Sequence, residues 1–500
     1  MQEQIHEKNL VTTNNIKYQE KLTVNSKTDL AVEEVEKVID VFSAVYVTEK
    51  EVLDGKVKFG GNVIFQIVYK CTNGEIKKCE SATEFVGYTE AEKAMQNCKC
   101  SVFGVAEKAT ADLSGLKVSV ECGILITAYV TENVLITPLI ETEELITDKK
   151  EKEITVGLGS CKTVYPLEEQ FDLDYAVKDV LCHNGKAVIT AVQCGVGCII
   201  VDGETVVSAI IKRDDEKLCK EQKVFPFRME IECEEAMPVN KAVAYVNEKS
   251  FKWDVSVDTE NKTSSVSLSA TLIFEGEAFE ERNVLLVTDA FNKDKHLQLE
   301  KENISFLDQC ETRSFCVDVT ADANVDAQDD SREILFAVKE KVESLSIVAE
   351  ENKITGDGVI SCHVICKTEE DKIVNVLLEA PFSFVQEQSG CDFENVTSRC
   401  AVKNLKAKKG TDGSVTLSFT LTVTVYPCLK DEIEFIKSVV LTGDKEKIDY
   451  PLSVYLALEG EGLFSLAKRL NVSPSEVVET NKDLQFPLTG KERVVIYRQK

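Results

Sequence analysis

The chain has 500 residues, 43% of them hydrophobic and 29% charged, which is enough apolar surface to offset the entropy of ordering several cores and too much length for one. Its 86 acidic against 58 basic residues leave a net charge of −28, which repels the phosphates of nucleic acids and anionic lipid. No stretch approaches the ~20 consecutive apolar residues of a membrane span, and the opening Met1-Gln2-Glu3-Gln4-Ile5-His6-Glu7-Lys8 lacks the apolar core of a signal peptide.

A cytoplasmic protein without a transmembrane segment is therefore expected. The 18 cysteines, scattered through a large acidic chain, are expected to be reduced and mostly buried.

After a polar segment over 1–20, the chain repeats itself three times. A first block runs from Gly61 to Lys70, again from Gly203 to Lys212, and again from Gly358 to Lys367. In each copy a lysine follows the glycine by nine residues and a phenylalanine (Phe85, Phe227, Phe382) follows it by 24. In the last two copies proline precedes that ring, as Pro226 and Pro381. A second block alternates apolar and polar residues: Val118, Val120, Cys122, Ile124 and Ile126, then Val266, Leu268, Ala270, Leu272 and Phe274, then Val415, Leu417, Phe419, Leu421 and Val423.

That period of two is the pattern of a half-buried strand. Three tandem antiparallel β-rich domains, sandwich-like or barrel-like, are expected over 21–148, 149–305 and 306–446. From the repeated phenylalanine to the first residue of the second block is 33 residues in copies one and three and 39 in copy two, which places the extra residues in a connecting loop. Short helical inserts are expected at 90–97 and 331–343.

The repeat also weighs the candidate chemistry. Cys362 and Cys366 flank His363 at a spacing open to metal binding, yet they occupy the positions of Phe65 and Tyr69 in copy one and Val207 and Ile211 in copy two. They read as core residues, with His363 on the opposite, more polar face beside Gln66 and Ser208 in the other copies. Cys194 and Cys198 would share one face of an extended strand and read as core before metal. Cys98 and Cys100 fall in a polar loop and are the expected exposed thiols. Trp253 is expected at the edge of the second core.

The four histidines (His6, His183, His296, His363) fall at unrelated repeat positions. Carboxylates alone, among 86 acids, discriminate no hydrolase. Phosphate-binding loops, nucleophile elbows and His-Glu-x-x-His helices are absent. No catalytic residue, metal ligand or cofactor is assigned, and a non-enzymatic role is expected.

After Tyr450 the pattern changes. Residues 453–456 read as a strand, 463–470 as an amphipathic helix and 494–497 as a closing strand, with Ser473-Pro474-Ser475-Glu476 forming a capped helix start between them. The expected order is βααβ over 447–500. Residues 450–500 hold seven basic against six acidic residues, a charge of +1 beside −29 for the rest, which suits a separate binding task.

The stretch from Tyr455 through Gly460-Glu461-Gly462-Leu463-Phe464 to Asn481 resembles a LysM domain over nearly all of the last 50 residues. In that family the first turn usually reads Gly-Asp-Thr-Leu-Trp; here Gly462 stands for threonine and Phe464 for tryptophan. The closing strand also lacks the usual proline after Ile496.

Three acidic β-repeats followed by one terminal LysM resemble the SipL-like spore coat morphogenetic proteins built of SPOCS domains. The resemblance implies a non-enzymatic adaptor of the mother cell cytoplasm, placed at the forespore surface and in the spore coat. It also implies binding, through the LysM, to the coat morphogenetic ATPase of the basement layer. The alternative is a LysM-mediated binder of peptidoglycan or another N-acetylglucosamine polymer.

For either ligand the expected binding residues are Gly460, Glu461, Gly462, Phe464, Asn481, Leu484, Phe486 and Leu488. The glycine turn permits close backbone approach, and the last three place large apolar side chains outside any expected helix or strand.

Overall fold

The computed structural model describes residues 10–29, 35–96, 98–114, 117–136, 139, 144–309, 312–323, 333–350, 352–368, 373–389, 395–410, 414–446 and 451–497. It is mainly β, built of antiparallel sheets, as the alternating patterns predict, and the described residues hold two short helices near the C-terminus.

Repeat 1 comprises β1 (Leu10–Asp29), β2 (Val35–Leu53), β3 (Lys56–Cys71), β4 (Ile76–Glu90), β5 (Lys99–Ser114) and β6 (Lys117–Ile136). Repeat 2 follows the same order through β7 (Ile146–Leu173), β8 (Val177–Cys194), β9 (Cys198–Arg213), β10 (Leu218–Glu232), β11 (Lys241–Asp258) and β12 (Thr263–Phe291). In repeat 3, β13 (Lys295–Gln309) and β14 (Arg313–Ala323) together take the place of the long β7. β15 (Glu333–Glu350), β16 (Lys353–Lys367), β17 (Ile373–Glu387), β18 (Asn395–Lys409) and β19 (Val415–Asp444) complete it.

The first block is the middle strand of one sheet in every repeat, in the orders β2-β3-β4, β8-β9-β10 and β15-β16-β17. The second block is the middle strand of the other: β6 between β1 and β5, β12 between β7 and β11, β19 between β14 and β18. The alternating residues of the second block all point inward and are buried, Ile126, Leu272 and Leu421 at 0% exposure. Each repeat thus encloses its own aliphatic and aromatic core between two sheets.

The repeated glycine has a steric reason. Gly61, Gly203 and Gly358 pair directly with Phe85, Phe227 and Phe382 on the neighbouring strand. A Cβ at Gly203 would stand 2.2 Å from the Phe227 ring and 2.5 Å from the Val188 carbonyl, and one at Gly358 2.6 Å from both the Phe382 ring and the Ser344 carbonyl. At Gly61 the obstacle is the Tyr46 carbonyl at 2.0 Å. The missing side chain lets a ring lie over one neighbour while the other bulges close; register shifts stand nearby at Val47/Glu49, Ile189/Ala191 and Val342/Ser344.

Several expectations are corrected. Residues 333–343, expected to be helical, belong to β15, whose three register shifts break the period of two and leave a spacing that mimics a helix face. Glu90 ends β4, and 91–96 is turn and irregular chain, tied down by Gly55 N–H to the Ala94 carbonyl (2.8 Å) and Ala91 N–H to the Gly55 carbonyl (2.9 Å); Asn97 and residues 331–332 lie outside the described residues. Cys194 and Cys198 lie on opposite sides of the β8–β9 hairpin turn, where Gly195 and Gly197 fold the chain back. Cys316, not Cys98 or Cys100, is the exposed thiol among the described cysteines.

The extra residues of copy two do not lengthen the linker: 233–240 matches 91–98 in length, and the β11–β12 hairpin is longer instead. Cys362, Cys366 and Trp253 are buried, as expected.

The outward faces of the first sheets are not free. Val68, Ile210 and Ile365, each seven residues after the repeat glycine, are 4–6% exposed and meet in one cluster. Ile76, Leu218 and Ile373, also equivalent, surround them. At a second place Ile136, Val284 and Ile433, equivalent in the second blocks, share a cluster built on the extended ends of β6, β7, β12, β13 and β19. Elsewhere Phe103, Tyr245 and Arg399, again equivalent, touch: the guanidinium lies 4.4 Å over the Phe103 ring, and the two rings are 6.0 Å apart. Three repeats therefore close around a common axis, an intramolecular analogue of a threefold assembly.

Candidate interaction surface

The C-terminal module is β20 (Leu452–Leu456), α1 (Leu463–Leu470), α2 (Pro474–Thr480) and β21 (Arg493–Tyr497), in the expected βααβ order. α2 begins with the full capping box: the Ser473 hydroxyl accepts from Glu476 N–H, and the Glu476 carboxylate accepts from Ser473 N–H. α1 begins at Gly462 without a side-chain cap, as the absence of threonine there dictates, and ends at Asn471 in the left-handed conformation.

The module is seated on the end of the repeat body. Phe464 packs edge-on against Phe291 of β12, with ring centres 5.5 Å apart. Lys293 pairs with Glu476 at 2.7 Å and Lys468 binds both oxygens of Asp289. Asn471 donates to the Lys293 carbonyl (2.6 Å) and accepts from Lys445 (2.7 Å). One ring pair and several charge-assisted bonds fix the seat.

The structure brings some expected residues together and separates others. The Gly460 and Glu461 turn and the loop before β21 are stitched by Gly460 N–H to the Leu488 carbonyl (2.8 Å) and Leu488 N–H to the Glu461 carbonyl (2.9 Å). Glu461 is buried, held by a two-pronged bond from Arg469 at 2.7 Å that keeps its carboxyl below the usual range. Asn481 lies apart: its side chain donates to the Val477 and Val495 carbonyls and accepts from Val495 N–H, fastening α2 to β21. Leu488 is buried in the module core, with Leu484, Phe486 and Phe464 half-buried against it. Gly460, at φ +76°, is exposed.

The large free apolar surface of the module lies elsewhere. Leu452, Val454, Leu456 and Leu458 are each more than half exposed, and Tyr497, paired with Leu452, is 64% exposed. They line the side of the two-stranded sheet turned away from the helices, because Val494 and Ile496 of β21 point into the core. The sequence carries the signal: Leu452 to Leu458 is apolar at nearly every position, whereas a strand covered on one side needs only every second one.

Two charged sites inside the repeat body are paired internally. A cavity of about 240 Å³ between repeats 1 and 2 is lined by Lys50, Lys99, Lys162, Glu275 and Glu277, paired as Lys162–Glu275 (3.2 Å), Lys99–Glu277 (3.1 Å) and Lys50–Glu275. Asp40 of repeat 1 is buried at the seam with repeat 3, bound by Lys339 and by His363 Nδ1 at 3.0 Å. Burial alone would raise its carboxyl; the two partners outweigh that and hold it below the ordinary value. Burial is also the main cause that pushes His183 down to about 4 at the seam of repeats 1 and 2, where its backbone N–H donates to Gln66 (2.8 Å). No group of three or more such residues among those described is arranged to hold a metal ion.

A family model described as SipL, SPOCS domain matches residues 34–114, from just before β2 to the end of β5. The first repeat is thus similar to the SPOCS domain of a non-enzymatic sporulation family, and the match supports a spore-coat-related role. No curated protein and no solved structure matches the chain. No described helix is long and apolar enough to cross a membrane.

Proposed function

We propose that this chain is a non-enzymatic adaptor of spore coat assembly that docks the coat morphogenetic ATPase of the basement layer through its LysM-like C-terminal module, and so helps to localise coat around the forespore. The observation that carries the reading is the exposed apolar face of β20 and β21. A contiguous apolar patch on a near-neutral module, beside a body of charge −29, is a surface suited to a protein partner. The seat at Phe464, Glu476 and Lys468 holds that face outward.

Capture of the ATPase from a sporulating lysate by the full chain, and by Val454→Glu and Leu456→Glu variants, tests the reading. Loss of capture in variants that fold normally supports it. Co-sedimentation of all three proteins with purified peptidoglycan, with no ATPase captured, would replace it with the glycan-binding alternative.

A further inference from the structure

Among the described residues, repeat 2 concentrates sulfur at one end of its sandwich. Cys194 closes β8, Cys198 opens β9, Cys233 follows β10 and Cys161 lies on β7. The corresponding residues are Val52, Lys56, Ala91 and Tyr18 in repeat 1, and Ala349, Lys353, Gln388 and Arg313 in repeat 3. None of the four is cysteine in either other repeat, so the shared fold does not require sulfur there.

The strap that carries Cys233 is held as its counterpart in repeat 1 is, so the sulfurs are added to a backbone the fold already fixes. The hairpin tip and the strap leaving β10 are tied by Gly197 N–H to the Ala236 carbonyl and by Cys233 N–H to the Gly197 carbonyl, both 2.9 Å. A Cβ on Gly159 would lie 3.7 Å from Cys233 Sγ and one on Gly276 3.2 Å from Cys161 Sγ. The sulfur of Cys233 thus sits over β7 two residues from Cys161, near enough that each thiol acts on the acidity of the other. Cys161 is half-buried and Cys233 buried.

We propose that Cys161 and Cys233 form a redox site that closes to a disulfide by exchange with a small-molecule disulfide, stapling edge strand β7 of one sheet to the strap that leaves edge strand β10 of the other. Cys161, the more exposed, attacks one sulfur of the small disulfide as a thiolate; a mixed disulfide forms and one small thiol departs. The Cys233 thiolate then attacks the Cys161 sulfur and expels the second. Two protein thiols are oxidised, one small disulfide is reduced to two thiols, and the two protons pass to the leaving groups.

Burial pushes Cys161 up to about 12 and raises Cys233, so the thiolate fraction is small at neutral pH and closure accelerates as pH rises. The cross-link closes a long loop and removes freedom from the unfolded chain.

The test exposes the reduced full chain to oxidised glutathione at several pH values, maps peptides without reductant, and measures the melting temperature. The expected result is one dominant linked pair, Cys161 with Cys233, formed roughly tenfold faster per pH unit between 7 and 9. A melting temperature a few degrees above that of the reduced chain should accompany it. Cys161→Ser and Cys233→Ser should each abolish both effects, and Cys316→Ser neither. A dominant Cys194–Cys198 pair, intermolecular Cys316 pairs alone, or no linked peptide overturns the proposal. The wild-type map decides the matter even where a variant fails to fold.

Discussion

The middle strands of the first sheets and the strand β20 share a feature: both are apolar on two faces. In the body, the second face of β3, β9 and β16 meets the other repeats, where Val68, Ile210 and Ile365 close the axis. In the C-terminal module, the second face of β20 carries Leu452, Val454 and Leu456 into solvent. A strand with apolar residues on both faces therefore marks two partners, one in its own sandwich and one beyond it. In the body that second partner is the same chain, and for the module we assign it to another protein.

Breaking the inner partnership should have the largest effect. Phe274 is fully buried in the second repeat, and Phe274→Ala should cost about 3–5 kcal/mol in denaturant unfolding. At the seam, Asp40→Ala leaves Lys339 buried without its carboxylate, and a loss of up to about 3–5 kcal/mol is expected. A Lys339→Met, Asp40→Leu double variant should recover much of it, since replacing both partners removes the stranded charge.

Acid should weaken the seam of repeats 1 and 2 more gently. Folded His183 has a pKa of about 4, below its unfolded value of about 6.5, so the unfolded chain takes the proton first. The stability it contributes is complete above pH 6.5 and is lost as pH falls toward 4, by roughly 2–3 kcal/mol. His183→Gln should flatten that part of the stability profile. The smallest stability effect is expected at the module face: Val454→Glu and Leu456→Glu should shift unfolding by no more than about 0.5 kcal/mol, because those side chains already face water.

The interior of each repeat was legible because one periodicity governs it. The glycine, the phenylalanine 24 residues later and the alternating second block all reappear as paired middle and edge strands, and the Ser473 capping box starts α2. The strand preceding each first block was harder to read. β15 carries three register shifts within 18 residues, so its apolar positions drift from a period of two toward that of a helix. The axis was hidden for another reason: Gln66, Ser208 and His363 made the outer face look polar, while the apolar Val68, Ile210 and Ile365 beside them needed two distant repeats to reveal their role.

At the candidate site, the apolar residues before β21 lie outside any element the sequence predicts, which marks them as binding residues on pattern alone. A 50-residue module uses such residues for its own core, and Leu488 went there. The exposed residues were instead the ones in excess on β20, legible only once the helices were known to cover one side of the sheet.

The most direct test of the adaptor reading is the affinity of the purified coat ATPase for the full chain and for Leu456→Glu, measured side by side with their melting temperatures. At least a tenfold weaker affinity at an unchanged melting temperature is expected for Leu456→Glu. Equal affinity for the two folded proteins would contradict it and take the docking surface away from the outer face of β20 and β21.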